Sequence, residues 1–347
     1  MDKGKPRVVV THWVHVEVMD RLGSFCHPAA PAREGAVWSR AKVCARAGDA
    51  AGLMVCMADC VDEDLLAACP RLRVMAGVLK GHDNIDVAAC TRRGIWVTVL
   101  PDLLTAPTAE LVVGLMLAVM RRITEGDALV RAGRFAGWRP QLYGSGLAGA
   151  MVGVIGMGRA GRAVARRVRA FDARLAYCDP EPLAAAEAAE LGARRLELAE
   201  LLAASDVVVP LVPLTASTRH LLDGPALARL RPGAFLVNAG RGSVVDEEAV
   251  ARALESGQLG GYAADVFAFE DWRCPARPRA IPPRLLAQPR TVFTPHLGSA
   301  IDSVRRQMGL AAAGQVRQAL AGQRPDAAVN TLGTSSRGAG RAGPERR

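Results

Sequence analysis

VGVIGMGRAG, residues 152–161, decides how the rest of the chain reads. Val152, Gly153, Val154 and Ile155 make a short apolar strand, and Gly156-Met157-Gly158-Arg159-Ala160-Gly161 follows at once. A helical stretch then carries an apolar stripe of Ala160, Val164, Val168 and Phe171. Three glycines at this spacing between a strand and a helix each have a physical task. Gly156 permits a tight turn, Gly158 lets the backbone approach a pyrophosphate on the helix N-terminus, and Gly161 lets helix and strand pack closely. Arg159, Arg162, Arg166, Arg167 and Arg169 read as a solvated face, with Arg159 nearest the pyrophosphate; Met157 and Ala160 complete the loop. The next strand, Arg174–Cys178, ends at Asp179, where a carboxylate meets the ribose hydroxyls of a dinucleotide. That carboxylate repels a 2′-phosphate. Pro180 and Glu181 follow it, with no Arg at hand to hold such a phosphate, so the sequence favours NAD over NADP.

Outward from this loop, apolar β-type runs alternate with helical stretches. Strands are expected at Val8–Thr11, Gly52–Met57, Arg73–Val78, Trp96–Val99, Val152–Ile155, Arg174–Cys178, Val207–Leu211, Phe235–Asn238, Gly261–Val266 and Thr291–Thr294. Helices are expected over 62–69, 108–133, 159–171, 245–256 and 300–322. The alternation predicts parallel sheets with helices on both faces, an α/β fold. PDLLTAPTAEL, residues 101–111, reads as an interdomain hinge, with Pro107 suited to the first turn of the helix it opens.

The chain has 347 residues, 50% hydrophobic and 22% charged, a composition that suits a globular protein of two domains. Its longest apolar run, Leu111–Met120, is short of the roughly 20 residues that span a bilayer. The N-terminus has no signal-peptide pattern. Eight cysteines show no CxxC pair and no framework spacing, and read as reduced, mostly buried thiols of a cytoplasmic protein. Cys56, Asp59 and Cys60 lack a second ligand cluster, so no metal site is expected. The net charge of +10 includes the tail 331–347, which reads as disordered and basic. No Lys/Arg run is interleaved with aromatics, which argues against a nucleic-acid platform; the basic balance suits an anionic substrate and equally a drift of composition toward Arg.

Three strand ends carry acid–base groups. Asn238-Ala239-Gly240-Arg241-Gly242 places Arg241 at one, Gly261–Glu270 places Asp265 and Glu270 at a second, and Thr294-Pro295-His296 places His296 at a third. Open α/β sheets bind ligands at these carboxyl ends, and a His beside a carboxylate moves the proton that accompanies hydride transfer. Alone, Arg241 reads as a cap, Glu270 as surface and His296 as a packed loop residue; together in one dinucleotide-binding frame they read as a site. Lys80, in VLKGHDNID (78–86), stands out differently. It is one of only four lysines among 44 Lys plus Arg, and it ends an apolar strand. By itself it reads as a surface lysine at a turn, or as a compact point charge kept where an Arg fork does not serve.

By these motifs, GMGRAG, Asp179, NAGRGSVVDEEAV, GGYAADVF with Glu270, and TPHLGSA, the chain resembles the D-2-hydroxyacid dehydrogenase family over about residues 7–330. The resemblance implies two Rossmann-like doubly wound parallel-sheet domains with an active-site cleft between them. The substrate domain would be discontinuous, 1–102 and 296–330, and the NAD-binding domain would be 103–295. It implies Arg241, Glu270 and His296 as the catalytic set, and a homodimer formed through the NAD-binding domain. Within the family the chain is most similar to the phosphonate dehydrogenase branch, which oxidises phosphite with NAD. The likeness lies in LKGHDNIDVAACTRRGIWVT, LPDLLTAPTAEL, GWRPQLYGSGL and FEDW, with Lys80 and Asp271-Trp272 where other members differ. NAGRG departs from that branch. Residue by residue, the resemblance implies Met57, Lys80, Trp138, Tyr143, Ser299 and Arg305 toward substrate. Toward NAD it implies Lys80, Thr108, Leu211, Val212, Pro213, Ala239 and Asp265 beside the glycine loop and Asp179. A glyoxylate or hydroxypyruvate reductase and a non-catalytic NAD-sensing corepressor are the alternative readings.

Overall fold

In a computed structural model, residues 4–100, 102–274 and 276–333 are described. Most of the tail expected to be disordered lies outside them. By contact the described chain divides into two compact units. One holds the residues up to Leu79, Ile85–Leu100, and those from Gly309 on; the other holds Lys80–Asn84 and the residues between Pro101 and Met308.

The first unit is built on β1 (Arg7–Val10), β2 (His27–Ala29), β3 (Gly52–Val55), β4 (Val74–Gly77) and β5 (Trp96–Thr98), all parallel, in the order β2-β1-β3-β4-β5. β3 and β4 are buried along their whole length. That is why they read as continuous apolar runs rather than alternating ones. Its helices begin where sequence chemistry provides a cap. Asp62 accepts from Leu65 N at 3.0 Å and Asp86 from Ala89 N at 2.9 Å.

The second unit is built on β6 (Met151–Ile155), β7 (Arg174–Cys178), β8 (Ala193–Arg195), β9 (Val207–Pro210), β10 (Ala234–Asn238), β11 (Leu259–Ala264) and β12 (Thr291–Phe293). The strands run parallel in the order β12-β11-β10-β9-β6-β7-β8. Order reverses between β6 and β9, the crevice where doubly wound sheets bind ligands. The helix Thr105–Met120 and the helix Arg159–Arg169 bury Val112, Met116, Ala163, Val164 and Val168 against one sheet face. Asp246 caps the helix Glu247–Glu255 by accepting from Glu248 N and Ala249 N, both at 3.0 Å.

Every expected strand is present to within a few residues. Two were not expected, β2 and β8. Both are three-residue edge strands, and His-Pro-Ala and Ala-Arg-Arg contain no β-branched residue. The helix expected over 108–133 is two helices, Thr105–Met120 and Ile123–Arg131. Arg122 breaks it in the left-handed region at φ 54°, and its guanidinium grips Glu125 at 2.9 and 2.6 Å. The carbonyl of Met120 is taken by Ser145 N at 2.9 Å, so the returning chain ends the first helix. No Gly or Pro announces that break. Among the described residues no helix is long and apolar enough to cross a membrane, and no cluster of three His, Cys, Asp or Glu could hold a metal ion. All eight cysteines are free; Cys26, Cys69 and Cys90 are buried and the other five half-buried, fewer buried than expected.

Candidate active site

The glycine loop follows β6 as the sequence requires. Gly156 has φ 95°, and a Cβ there would lie 2.9 Å from Leu211 O and Val212 Cγ1. Only glycine closes that turn without strain. A Cβ on Gly161 would collide with Gly156 O, whereas one on Gly158 meets nothing within 4 Å. The loop is therefore tight where it packs and open where a pyrophosphate needs to approach, at the N-terminus of Arg159–Arg169. Leu211, Val212 and Pro213 leave β9 opposite Gly156, and Ala239 is buried after β10. Asp179 sits at the end of β7 with Oδ2 accepting from Met157 N at 2.6 Å and Oδ1 from Glu181 N at 2.9 Å. These residues fit a bound dinucleotide.

The acid–base group assembles at the ends of β10, β11 and β12. His296 Nδ1 lies 2.7 Å from Glu270 Oε2, and Glu270 Oε1 accepts from Phe267 N at 2.9 Å. With Nδ1–H donated to the carboxylate, the lone pair is on Nε2, and the imidazole is set up as a base. His296 has φ 56°, in the left-handed region that a β-carbon makes costly. Asp265 holds it there. Buried to 1% exposure, its carboxylate accepts from Thr294 Oγ1 at 2.6 Å, Leu297 N at 2.6 Å and Gly298 N at 2.9 Å. Its own carbonyl accepts from His296 N at 2.9 Å, and Thr108 Oγ1 donates to Gly298 O at 3.3 Å.

Arg241 is placed by its neighbours. Asn238 Nδ2 donates to the Arg241 carbonyl at 2.9 Å and shapes the turn after β10. Arg241 Nε donates to Asp83 Oδ1 at 2.7 Å, in a pair whose side chains are 15% and 21% exposed. The guanidinium lies against Gly81, where any Cβ would strike Nη2. Lys80 is half-buried, and its ammonium has no hydrogen-bond acceptor among the described residues. Burial pushes it below the usual lysine range, and Arg159 and Arg241 push the same way. Arg159 is ion-paired with Asp102. Lys80 is thus a cation among cations.

Sequence reading gives no locking role to the residues that hold this arrangement, although it singles out Asp271. Asp83, inside the stretch that holds Lys80, orients Arg241. Asp271, 4% exposed, accepts from Ser243 N at 2.7 Å and ties the turn of Glu270 to the turn of Arg241. Burial raises its carboxyl above the usual range. Glu247 accepts from Ala268 N at 2.7 Å and supports the same turn; burial pushes it up to about 7. The guanidinium of Arg277 covers Trp272, 4.1 Å from the ring centroid. Asp residues within a VLKGHDNID-like loop and an FEDW run were the available signal. Of the other expected substrate residues, Ser299 is buried, Arg305 is half-buried in the final helix, and Met57 is half-buried after β3 in the first unit. Trp138 and Tyr143 stand 85% and 78% exposed on the segment after Ile123–Arg131.

The "D-isomer specific 2-hydroxyacid dehydrogenase, NAD binding domain" matches residues 113–298. A glyoxylate reductase of Thermofilum pendens is 35% identical over 332 residues, 94% of this chain and 95% of its own. This chain belongs to the D-isomer specific 2-hydroxyacid dehydrogenase family. Among solved structures, the TT0316 protein of Thermus thermophilus is 36% identical with a TM-score of 0.81, covering 93% of this chain and 100% of its own. An NADPH-dependent glyoxylate/hydroxypyruvate reductase of Sinorhizobium meliloti, solved with NADP and malonate, is 31% identical with a TM-score of 0.80, covering 94% of this chain and 97% of its own. The chain is therefore an oxidoreductase of this family carrying its NAD-binding domain, built on two parallel sheets of 5 and 7 strands.

Proposed function

We propose that this dehydrogenase oxidises phosphite to phosphate with NAD. The observation that carries the reading is the half-buried Lys80 ammonium, without an acceptor among the described residues, beside Arg241 and Arg159. Phosphite offers no carbon skeleton to an apolar pocket. Its binding has to come from charge, and two cations in a partly desolvated site match a small dianion. In the reaction the P–H bond breaks and a P–O bond to water forms. NAD supplies the acceptor for the hydride, which takes the bonding pair. The water proton passes to His296 Nε2, and Glu270 stabilises the imidazolium through Nδ1. Arg241, held by Asp83, neutralises the phosphoryl oxygens. The Glu270-Asp271-Trp272 run supports the same reading.

A second reading, reduction of glyoxylate or hydroxypyruvate, rests on a different observation, the names of the relatives. The comparisons favour it over phosphite; the residues at 80 and 271–272 favour phosphite. It uses the same His296 as the proton donor to the forming hydroxyl and Arg241 for the carboxylate. Parallel assays separate the two: NADH appearing with phosphite and NAD, against NADH consumed with glyoxylate or hydroxypyruvate. Phosphite turnover at higher efficiency supports the proposal, and 2-oxo acid turnover without phosphite activity replaces it with the second reading.

A further inference from the structure

Asp179 does not face the ribose end of the site alone. β8 pairs with β7 so that Tyr177 lies opposite Arg195. This brings a guanidinium to the residues that follow β7, from a position 16 residues further along the chain. Arg195 Nε donates to Asp179 O at 3.2 Å. Nη2 donates to Asp179 O at 3.0 Å and to Pro180 O at 3.1 Å. The cation is anchored on backbone carbonyls. No carboxylate lies within ion-pair distance of it among the described residues, Nη1 makes no hydrogen bond there, and the residue is exposed. The adjacent Asp179 carboxylate already accepts from Met157 N and Glu181 N, so part of its charge is answered by the loop.

We propose that Arg195 widens the choice of cofactor: it offers its free Nη1 to a 2′-phosphate, and the protein binds NADP as well as NAD. Asp179 still accepts hydrogen bonds from a free ribose diol and repels a phosphate, and Glu181 adds a second negative charge, so NAD remains the better ligand. Arg195 narrows the gap, because its remaining Nη1 N–H groups donate charge-assisted bonds to a phosphate oxygen and the guanidinium keeps its charge at every working pH. The residues directly after Asp179 conceal this, since the cation arrives from the neighbouring strand.

Calorimetric titration of NADH and of NADPH into wild type, Arg195→Met and Arg195→Lys tests the proposal. No substrate is present, so the outcome is independent of the phosphite reading. Wild type binds both. Arg195→Met weakens NADPH about tenfold or more, the loss of one charge-assisted contact, and NADH by less than about twofold. Arg195→Lys retains part of the NADPH affinity, and added salt weakens NADPH more than NADH. Unchanged NADH binding also shows that the variant folds. Equal weakening of both cofactors would make Arg195 a strut for the 179–180 turn and overturn the proposal. So would NADPH binding unaffected by the substitution, or absent from wild type.

Discussion

Replacing Asp265 with Asn keeps the size of the side chain and removes its charge. Asp265 Oδ1 accepts two hydrogen bonds and Oδ2 one, all from the segment that carries His296. An amide oriented to keep the Oδ1 pair turns its NH₂ toward Gly298 N, donor against donor. At least one buried charge-assisted bond is lost and a buried N–H is left unpaired, together about 2–4 kcal/mol. The left-handed backbone of His296 is then free to relax toward a commoner conformation, and the 2.7 Å contact with Glu270 opens. A misplacement of about 1 Å in a catalytic group costs on the order of a hundredfold in rate. Initial rates with phosphite, or with whichever acid supports turnover, should show kcat down about a hundredfold. The dissociation constant for NADH should stay within about threefold, since the glycine loop and Asp179 are untouched. The unfolding midpoint should also fall. Turnover within about threefold of wild type would refute the positioning argument. A loss confined to NADH affinity would return Asp265 to the cofactor contact that the resemblance implies.

Three further outcomes follow from the same geometry. Lys80→Met should cut efficiency toward phosphite by roughly 30- to 150-fold, the effect of losing about 2–3 kcal/mol of charge contact at a half-buried position; an equal loss in NADH affinity would contradict its substrate role. Gly81→Ala should leave the unfolding midpoint nearly unchanged, because the flexible end of Arg241 can move aside, yet lower activity; full activity would show that the position of Arg241 against Gly81 is not needed. Glu247 holds its proton up to about pH 7 in the folded chain, whereas unfolded it ionises near 4.5. The fold is therefore favoured at this site below about pH 4.5 and loses about 3 kcal/mol as pH rises through 7. Melting curves of Glu247→Gln at pH 5 and pH 8 should differ less than those of wild type, and an unchanged pH dependence would count against the buried carboxyl.

What could be read from the sequence was what the backbone dictates locally. Gly156, Gly158 and Gly161 have tasks set by turn geometry and close approach, and a strand before them and a helix after them are visible in the apolar pattern. Asp179, Arg241, Glu270 and His296 stand at strand ends and are found by counting. The break at Arg122 was not legible, because the residue that stops the helix is Ser145, 23 positions on in the chain. β2 and β8 were missed because edge strands need little β propensity, and with β8 went Arg195. Asp83, Asp271 and Glu247 act through hydrogen bonds between segments far apart in sequence, and no sequence pattern gives them a locking role. Asp265 was legible as a strand-end carboxylate, but not its grip on the His296 turn. The aromatic pair Trp138 and Tyr143 shows the opposite case, residues given a role by the resemblance that stand exposed among the described residues.

The most direct test of the central reading is to supply phosphite carrying deuterium on phosphorus and to follow the label. Phosphite oxidation by hydride transfer predicts phosphate and NADH in equal amounts, with the deuterium on the nicotinamide ring. No phosphite-dependent NADH, or NADH formed without the label, would contradict it.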